Sequence, residues 1–401
     1  MKINSILWSS VALLILATGC HSNKEPERIF DLKYKKVLKV ARQDAYFFQS
    51  RNFIPGSSIA VSIDGKLVWS EGIGQASTDL EVPATRFTKY RMGQITQVLT
   101  ALAYYQLVEK GKISPQDDVR KYLPDFKEKA FPVRLQNLID QTSGIRPVTE
   151  DESNFRGLNV NYMKAMENIA GDSLLFPPGM YQYPSFYCYN MIGGVLEKAG
   201  GMPFAKLISK FVTDTLDMRN TVPDNPLTTI KYRSDFYERN VIAQVINSTT
   251  FDYRYHLPAE GYLSTAEDLV KLGNALLSSP ILSDSVKKWM VRPPILSSGE
   301  IPATWGNGLM IMQLRDGKTF YASRGLVKGS GAMLIMIPDK KIVLGWLSNL
   351  DDNVEELPGL KIAIMFKEFL EGTFRAPDDK PLPEENKENK ESKENKENDN
   401  K

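Results

Sequence analysis

"YRMGQITQVLTALAYYQLVEKGKISPQDDV", Tyr90–Val119, is the stretch from which the fold of this chain is read. From Gln94 to Glu109 its apolar residues crowd every face at helical spacing, which predicts a helix buried in the interior rather than one lying on the surface. Gly111 stands just past the last periodic residue, where a helix stops most easily. The first turn carries Gln94 and Gln97, three residues apart and therefore on one face. A carboxamide donates and accepts hydrogen bonds, but it has no nucleophile and no titrating proton.

The remainder of the chain is organised around this helix. Two alternating runs, Ser58–Ile63 and Lys66–Ser70, are separated by Asp64-Gly65, a strong hairpin signal. An amphipathic stretch, Ile29 to Phe48, precedes them. Residues 94–280 read as helices and loops, with helical periodicity near 94–110, 191–199, 204–216 and 265–277. Strands return at Gly308–Leu314, Thr319–Ser323, Ala332–Ile337 and Ile342–Leu347, joined by Arg315-Asp316-Gly317 and Pro338-Asp339-Lys340 turns, and Leu357–Leu370 reads as a terminal helix. A two-strand hairpin is marginal by itself. The arrangement predicted is a mixed α/β (α+β) domain over residues 29–373, with one antiparallel sheet built from both chain ends, flanked by helices, and a mostly helical region inserted between them.

Outside that domain the composition changes. Residues 1–20 read as a targeting segment: Lys2, an apolar run from Ile6 to Ala17 too short to span a bilayer, then Ala17-Thr18-Gly19-Cys20. This resembles a bacterial lipoprotein signal in which Cys20 is lipidated, although Leu16 sits four places before the cysteine instead of three. Residues 21–28 form a polar tether, and residues 374–401 a Lys/Glu/Asn-rich tail expected to be disordered for want of apolar residues. The only other cysteine is Cys188, so the mature domain cannot close an internal disulfide. Across 401 residues, 42% are hydrophobic and 24% charged, enough to build a sizeable core. A formal charge of +2 with no basic-aromatic block argues against nucleic acid as a partner. No His/Asp/Glu/Cys cluster stands at metal-ligand spacing, so no metal or cofactor is expected.

Six segments, in order, resemble the serine β-lactamase/penicillin-binding-protein superfamily, in its class C-like and esterase branch. They are "IAVSIDGKLVWSEGIG" (59–74), "RMGQITQVLTALAYYQLVEKGKISPQDDVRKYLPDF" (91–126), "NLIDQTSGI" (137–145), "PPGMYQYPSFYCYNMIGGVLEKAGGMPF" (177–204), "AEGYLSTAEDLVKLGNALL" (259–277) and "SRGLVKGSGAMLIMIPDKKIVLGWLSN" (323–349). The resemblance implies a β-lactamase/transpeptidase-like fold. It also implies a serine that attacks an acyl carbonyl, with a lysine one helical turn later to take its proton. Gln94 and Gln97 hold those two positions. Pro184 and Phe186 hold the tyrosine and asparagine of the second motif, Ser323 holds the cation that opens the third, and Gln141 stands where a histidine often precedes "TSG".

Five replacements at five polar positions, within a frame that otherwise matches, imply a non-catalytic family member. The expected cleft-lining ligand set is Gln94, Gln97, Tyr183, Ser185, Ser323, Arg324 and Gly325, with the membrane reached through the lipid on Cys20. Its partner would be a cell-wall peptide or a protein. Arg324 either pairs with a ligand carboxylate or lies solvated, and His256 reads as a loop or packing residue. The alternative from a different class is a serine hydrolase with a relocated nucleophile at Ser185, Ser323 or Cys188. The envelope location follows from the signal.

Overall fold

A computed structural model describes residues 28–153, 161–249, 251–302, 305–351 and 357–377. The lipidation signal with Cys20, the tether up to residue 27 and the tail beyond 377 lie outside the described residues.

The central sheet is antiparallel and is built from both chain ends. Its main path runs through β1 (Ile29–Phe30), β2 (Gly56–Ile63), β3 (Lys66–Ser77), β4 (Trp305–Gly306), β5 (Leu309–Gln313), β6 (Thr319–Val327), β7 (Ser330–Ile337) and β8 (Ile342–Ser348), in the order β1-β3-β2-β8-β7-β6-β5-β4, and a short strand, Val82–Pro83, pairs with β3 off that path. The ends of the chain meet where β8 pairs with β2, Val343 opposite Ser62 and Leu347 opposite Ser58. Asp64 and Gly65, at φ 50° and 77°, form the tight β2–β3 turn that their sequence predicts.

Among the described residues, five helices of twelve residues or more build the layers around the sheet: α1 (Lys35–Arg51), α2 (Thr96–Glu109), α3 (Phe186–Gly200), α4 (Ala266–Leu277) and α5 (Leu360–Glu371). One face of the sheet packs on α1 and α5 through Ile59, Val61, Trp69, Trp346 and Phe366. Trp346 receives the edge of Phe48 at 5.6 Å between ring centres. The other face packs on the helical middle, with α2 at its centre: every residue from Thr96 to Tyr105 is buried. Glu71, fully buried on β3, is held by two short bonds from Arg42 of α1 (2.7 and 2.9 Å) and by Trp69 Nε1 (3.2 Å). A buried carboxylate needs such partners, and this one fastens α1 to the sheet.

Several boundaries differ from the sequence reading. Ile29-Phe30 forms an edge strand on β3 instead of the start of the amphipathic helix, because its backbone pairs with Trp69 and Ser70. The 204–216 periodicity resolves into a short helix, Phe204–Ile208, followed by a wider π-type turn, Ser209–Thr213. The strand read from sequence as Thr319–Ser323 runs on to Val327, four residues further, since Gly325 and Leu326 continue the ladder with Ala332 and Gly331. Phe374, assigned from sequence to the tail, is buried against Phe369. Arg28, assigned to the tether, reaches Glu71.

Candidate functional site

The site is made by close approach of the start of α2 to β6. A Cβ on Gly325 would lie 2.0 Å from the Met92 carbonyl oxygen, and one on Gly93, at φ 50°, 3.0 Å from the Leu326 nitrogen. Glycine at both positions lets the two backbones touch, and so sets Gln94 beside the strand. Pairing with β5 ends at Ala322, which leaves the following part of that edge of β6 to other partners. Gln94 takes up part of it. Its Oε1 accepts from the Leu326 N–H at 2.7 Å, and its Nε2 donates to the Leu326 carbonyl at 3.2 Å. A single side-chain amide thereby fills both backbone groups of one strand residue, as a neighbouring peptide unit would.

The same Nε2 donates to Glu260 Oε2 at 3.3 Å. Glu260 closes a short helix, Leu257–Glu260, and is almost entirely buried. Burial pushes its carboxyl up to about 8, against the opposing pull of the Arg91 cation. Arg91 is itself committed to Asp224 at 2.8 Å and to the Lys328 carbonyl at 2.7 Å, and its guanidinium stacks over Phe236.

Gln97, one turn along, is buried where α2 crosses Gly308: a Cβ added at Gly308 would meet the Gln97 Cβ at 3.0 Å. The Gly308 carbonyl accepts from the Ser323 hydroxyl at 2.7 Å. Gln94, Gln97, Ser323 and Gly325 therefore form one contiguous group. Arg324 does not join them on that face. The β6 pleat sends it, opposite Met333, to the face that also carries Phe320 and Ala322, covered by α1 and α5.

The second-motif residues belong to a neighbouring group. Ser185 is buried ahead of α3; its hydroxyl donates to the Arg146 carbonyl at 2.7 Å, and its N–H donates to Gln141 Oε1 at 2.9 Å. Gln141 also accepts the Tyr183 N–H on its backbone carbonyl at 2.8 Å. Gln141 thus ties the loop to the helix start. Tyr183 and Pro184 are exposed. The Phe186 ring lies 5.7 Å from that of His256. His256 is buried as a packing residue, with Nδ1 3.1 Å from Asn190 Nδ2 and Nε2 without a hydrogen-bond partner, and burial lowers its pKa to about 4. Cys188 is fully buried, 3.2 Å from the Ser143 hydroxyl, with its thiol pushed up to about 12 by burial.

Two participants were not singled out from sequence. Glu260 is a lone carboxylate in the apolar run "LPAEGYL", a signal that was available. Leu326 contributes only backbone, so its residue type carries no signal at all.

A family model described as Beta-lactamase matches residues 45–366. The chain belongs to the β-lactamase family. Among the family's relatives it is 27% identical to the human serine beta-lactamase-like protein LACTB, mitochondrial, over 61% of this chain and 57% of that one. It is 26% identical to Protein flp of Staphylococcus aureus strain MRSA252, over 55% of this chain and 44% of that one. The chain thus spans about half the length of these relatives. The fold is shared with FmtA from Staphylococcus aureus (TM-score 0.70, 20% identity, 90% of this chain and 97% of that one). It is shared also with a penicillin-binding protein homologue from Pyrococcus abyssi (TM-score 0.71, 23% identity, 84% and 78%). In this β-lactamase-family domain the start of α2 presents two carboxamides, Gln94 and Gln97.

Proposed function

We propose that this protein is a non-catalytic β-lactamase-family member of the bacterial cell envelope, lipid-anchored through Cys20, that works as a binding module for a peptidoglycan-type peptide or a protein partner. The observation that carries the reading is the Gln94 carboxamide seated on both backbone groups of Leu326. An acyl group held for attack needs preorganised N–H donors at its oxygen, and here Gln94 Oε1 already accepts the Leu326 N–H. A peptide ligand would exchange one amide for another at that edge, which suits binding without turnover.

The rival reading, a serine hydrolase with a relocated nucleophile, finds little support in the geometry. The Ser185 and Ser323 hydroxyls are buried and each gives its proton to a backbone carbonyl. The Cys188 thiol is buried and held far from ionisation at neutral pH. His256, the one histidine among the described residues, packs among Phe186, Tyr187 and Tyr255. The envelope location rests on Ala17-Thr18-Gly19-Cys20; among the described residues no helix is long and apolar enough to cross a membrane.

The test is exposure of purified protein to a fluorescent penicillin and to a short-chain p-nitrophenyl ester, read by gel fluorescence and intact mass. No adduct is expected. An adduct abolished by Ser185→Ala, Ser323→Ala or Cys188→Ala would establish the hydrolase instead.

A further inference from the structure

The outward face of α1 is built unlike an ordinary solvated helix. Its inner face is buried against the sheet through Val37, Leu38, Ala41, Ala45 and Phe48. At 100° per residue the opposite face gathers Lys35, Lys36, Lys39, Gln43, Tyr46, Phe47 and Ser50, three lysines and two aromatic rings, none of these seven residues an acid. The flanking turns extend the pattern. Leu32 is 79% exposed before the helix and Phe53 73% after it, with Phe47 at 63% between them. Phe53 also sits at φ 48°, a conformation that a bulky side chain rarely adopts, so its exposed ring is both unburied and strained. From Leu32 to Phe53 there are six Lys/Arg and a single acid, Asp44, which is already ion-paired with Lys361. Scattered exposed apolar residues are normal, but large rings and lysines gathered on one helix face mark a contact surface.

What covers it is indicated by the chain that precedes it. Seven residues, His21–Glu27, separate Cys20 from Arg28. Even fully extended, the eight steps from Cys20 to Arg28 reach about 26–29 Å, at about 3.3–3.6 Å per residue. A lipid on Cys20 therefore holds Arg28 within that distance of the bilayer, and Arg28 shares the Glu71 carboxylate with Arg42 of α1. Lysines there meet the negative surface potential of anionic lipids, and aromatic rings settle among headgroups with their apolar bodies inward. We propose that the outer face of α1, with Leu32 and Phe53, lies on an anionic phospholipid surface and orients the domain on the membrane. This rests on the envelope reading above.

The test uses the chain from His21 onward, which keeps every described residue and carries no lipid. Co-flotation is measured with vesicles of phosphatidylcholine alone, and of phosphatidylcholine and phosphatidylglycerol in equal parts. Binding is expected to the mixed vesicles and at least tenfold less to phosphatidylcholine. It should weaken as salt shortens the Debye length from about 10 Å at 0.1 M to about 3 Å at 1 M. K35E/K36E/K39E should lower the partition coefficient at least tenfold, and L32S/F47S/F53S should lower it at all salt concentrations. These exposed changes leave the far-UV circular dichroism and melting temperature in place, which checks that both variants are folded. No binding to the mixed vesicles, equal binding to both kinds, or wild-type binding by the lysine variant would overturn the proposal and leave this face to a protein partner. Intact mass of protein recovered from cells reports lipidation of Cys20 separately, so failure of the anchor and failure of the α1 surface are distinguished.

Discussion

Glu260→Gln should change how the stability of the domain depends on pH. The folded protein holds the Glu260 carboxyl at about 8, against an ordinary value of 4.5. Each pKa unit between folded and unfolded states corresponds to about 1.4 kcal/mol, so this gap amounts to about 5 kcal/mol. The sign follows from which state loses its proton first. Below 4.5 both states are protonated and the contribution to stability is complete. As pH rises from 4.5 to about 8 the unfolded chain ionises while the folded one does not, and stability is progressively lost. His256 acts in the opposite sense: lowered from 6.5 to about 4, it contributes fully above 6.5 and loses about 3 kcal/mol as pH falls to 4. The two slopes nearly cancel between 4.5 and 6.5, and from 6.5 to 8 only the Glu260 loss remains, about 2 kcal/mol. In the Gln variant the amide oxygen still accepts from Gln94 Nε2, so the contact survives and only the titration is removed. Urea unfolding of both proteins across this range, with the difference taken at each pH, cancels every other group. The difference should move by about 5 kcal/mol in favour of the variant between pH 4.5 and 8, at unchanged m. Parallel profiles would refute the assignment of Glu260 as a carboxylic acid kept neutral by burial.

Gly325→Ala should be severely destabilising, by more than about 3 kcal/mol, because the new Cβ would sit 2.0 Å from the Met92 carbonyl, a backbone atom that cannot step aside; soluble protein with wild-type melting would refute the close approach. Gln94→Ala removes the three hydrogen bonds of the Gln94 side chain and should cost about 1–3 kcal/mol in urea unfolding, while an unchanged midpoint would show that the contact with Leu326 carries no energy. Gln94→Ser/Gln97→Lys, which restores the spacing of nucleophile and base, should still form no stable penicillin adduct, since Pro184 and Phe186 remain at the second motif; intact mass decides. Native protein should leave Cys188 unlabelled by a maleimide at neutral pH and react fully in denaturant, given a buried thiol pushed up to about 12; native labelling would show an accessible thiol.

Much of this architecture was written in local sequence. Asp64-Gly65 specifies its turn through backbone preference alone, alternation marks β2 and the start of β3, short apolar runs mark β7 and β8, and the all-round apolar run after Gln97 can only be an interior helix. The absence of a hydroxyl and a lysine one turn apart at the start of α2 is equally a property of sequence, because no folding step supplies a missing functional group. Three things were decided by tertiary structure. The pleat of β6, continued past Ser323 by pairing with β7, put Arg324 on the face opposite Ser323 and Gly325. Enclosure raised the Glu260 pKa, since desolvation depends on every segment that surrounds a group and not on its neighbours in the chain. The partner of Gln94 lies 232 residues away, and it is a backbone amide that any residue could have supplied. Only the approach of two chain segments through Gly93 and Gly325 could select Leu326.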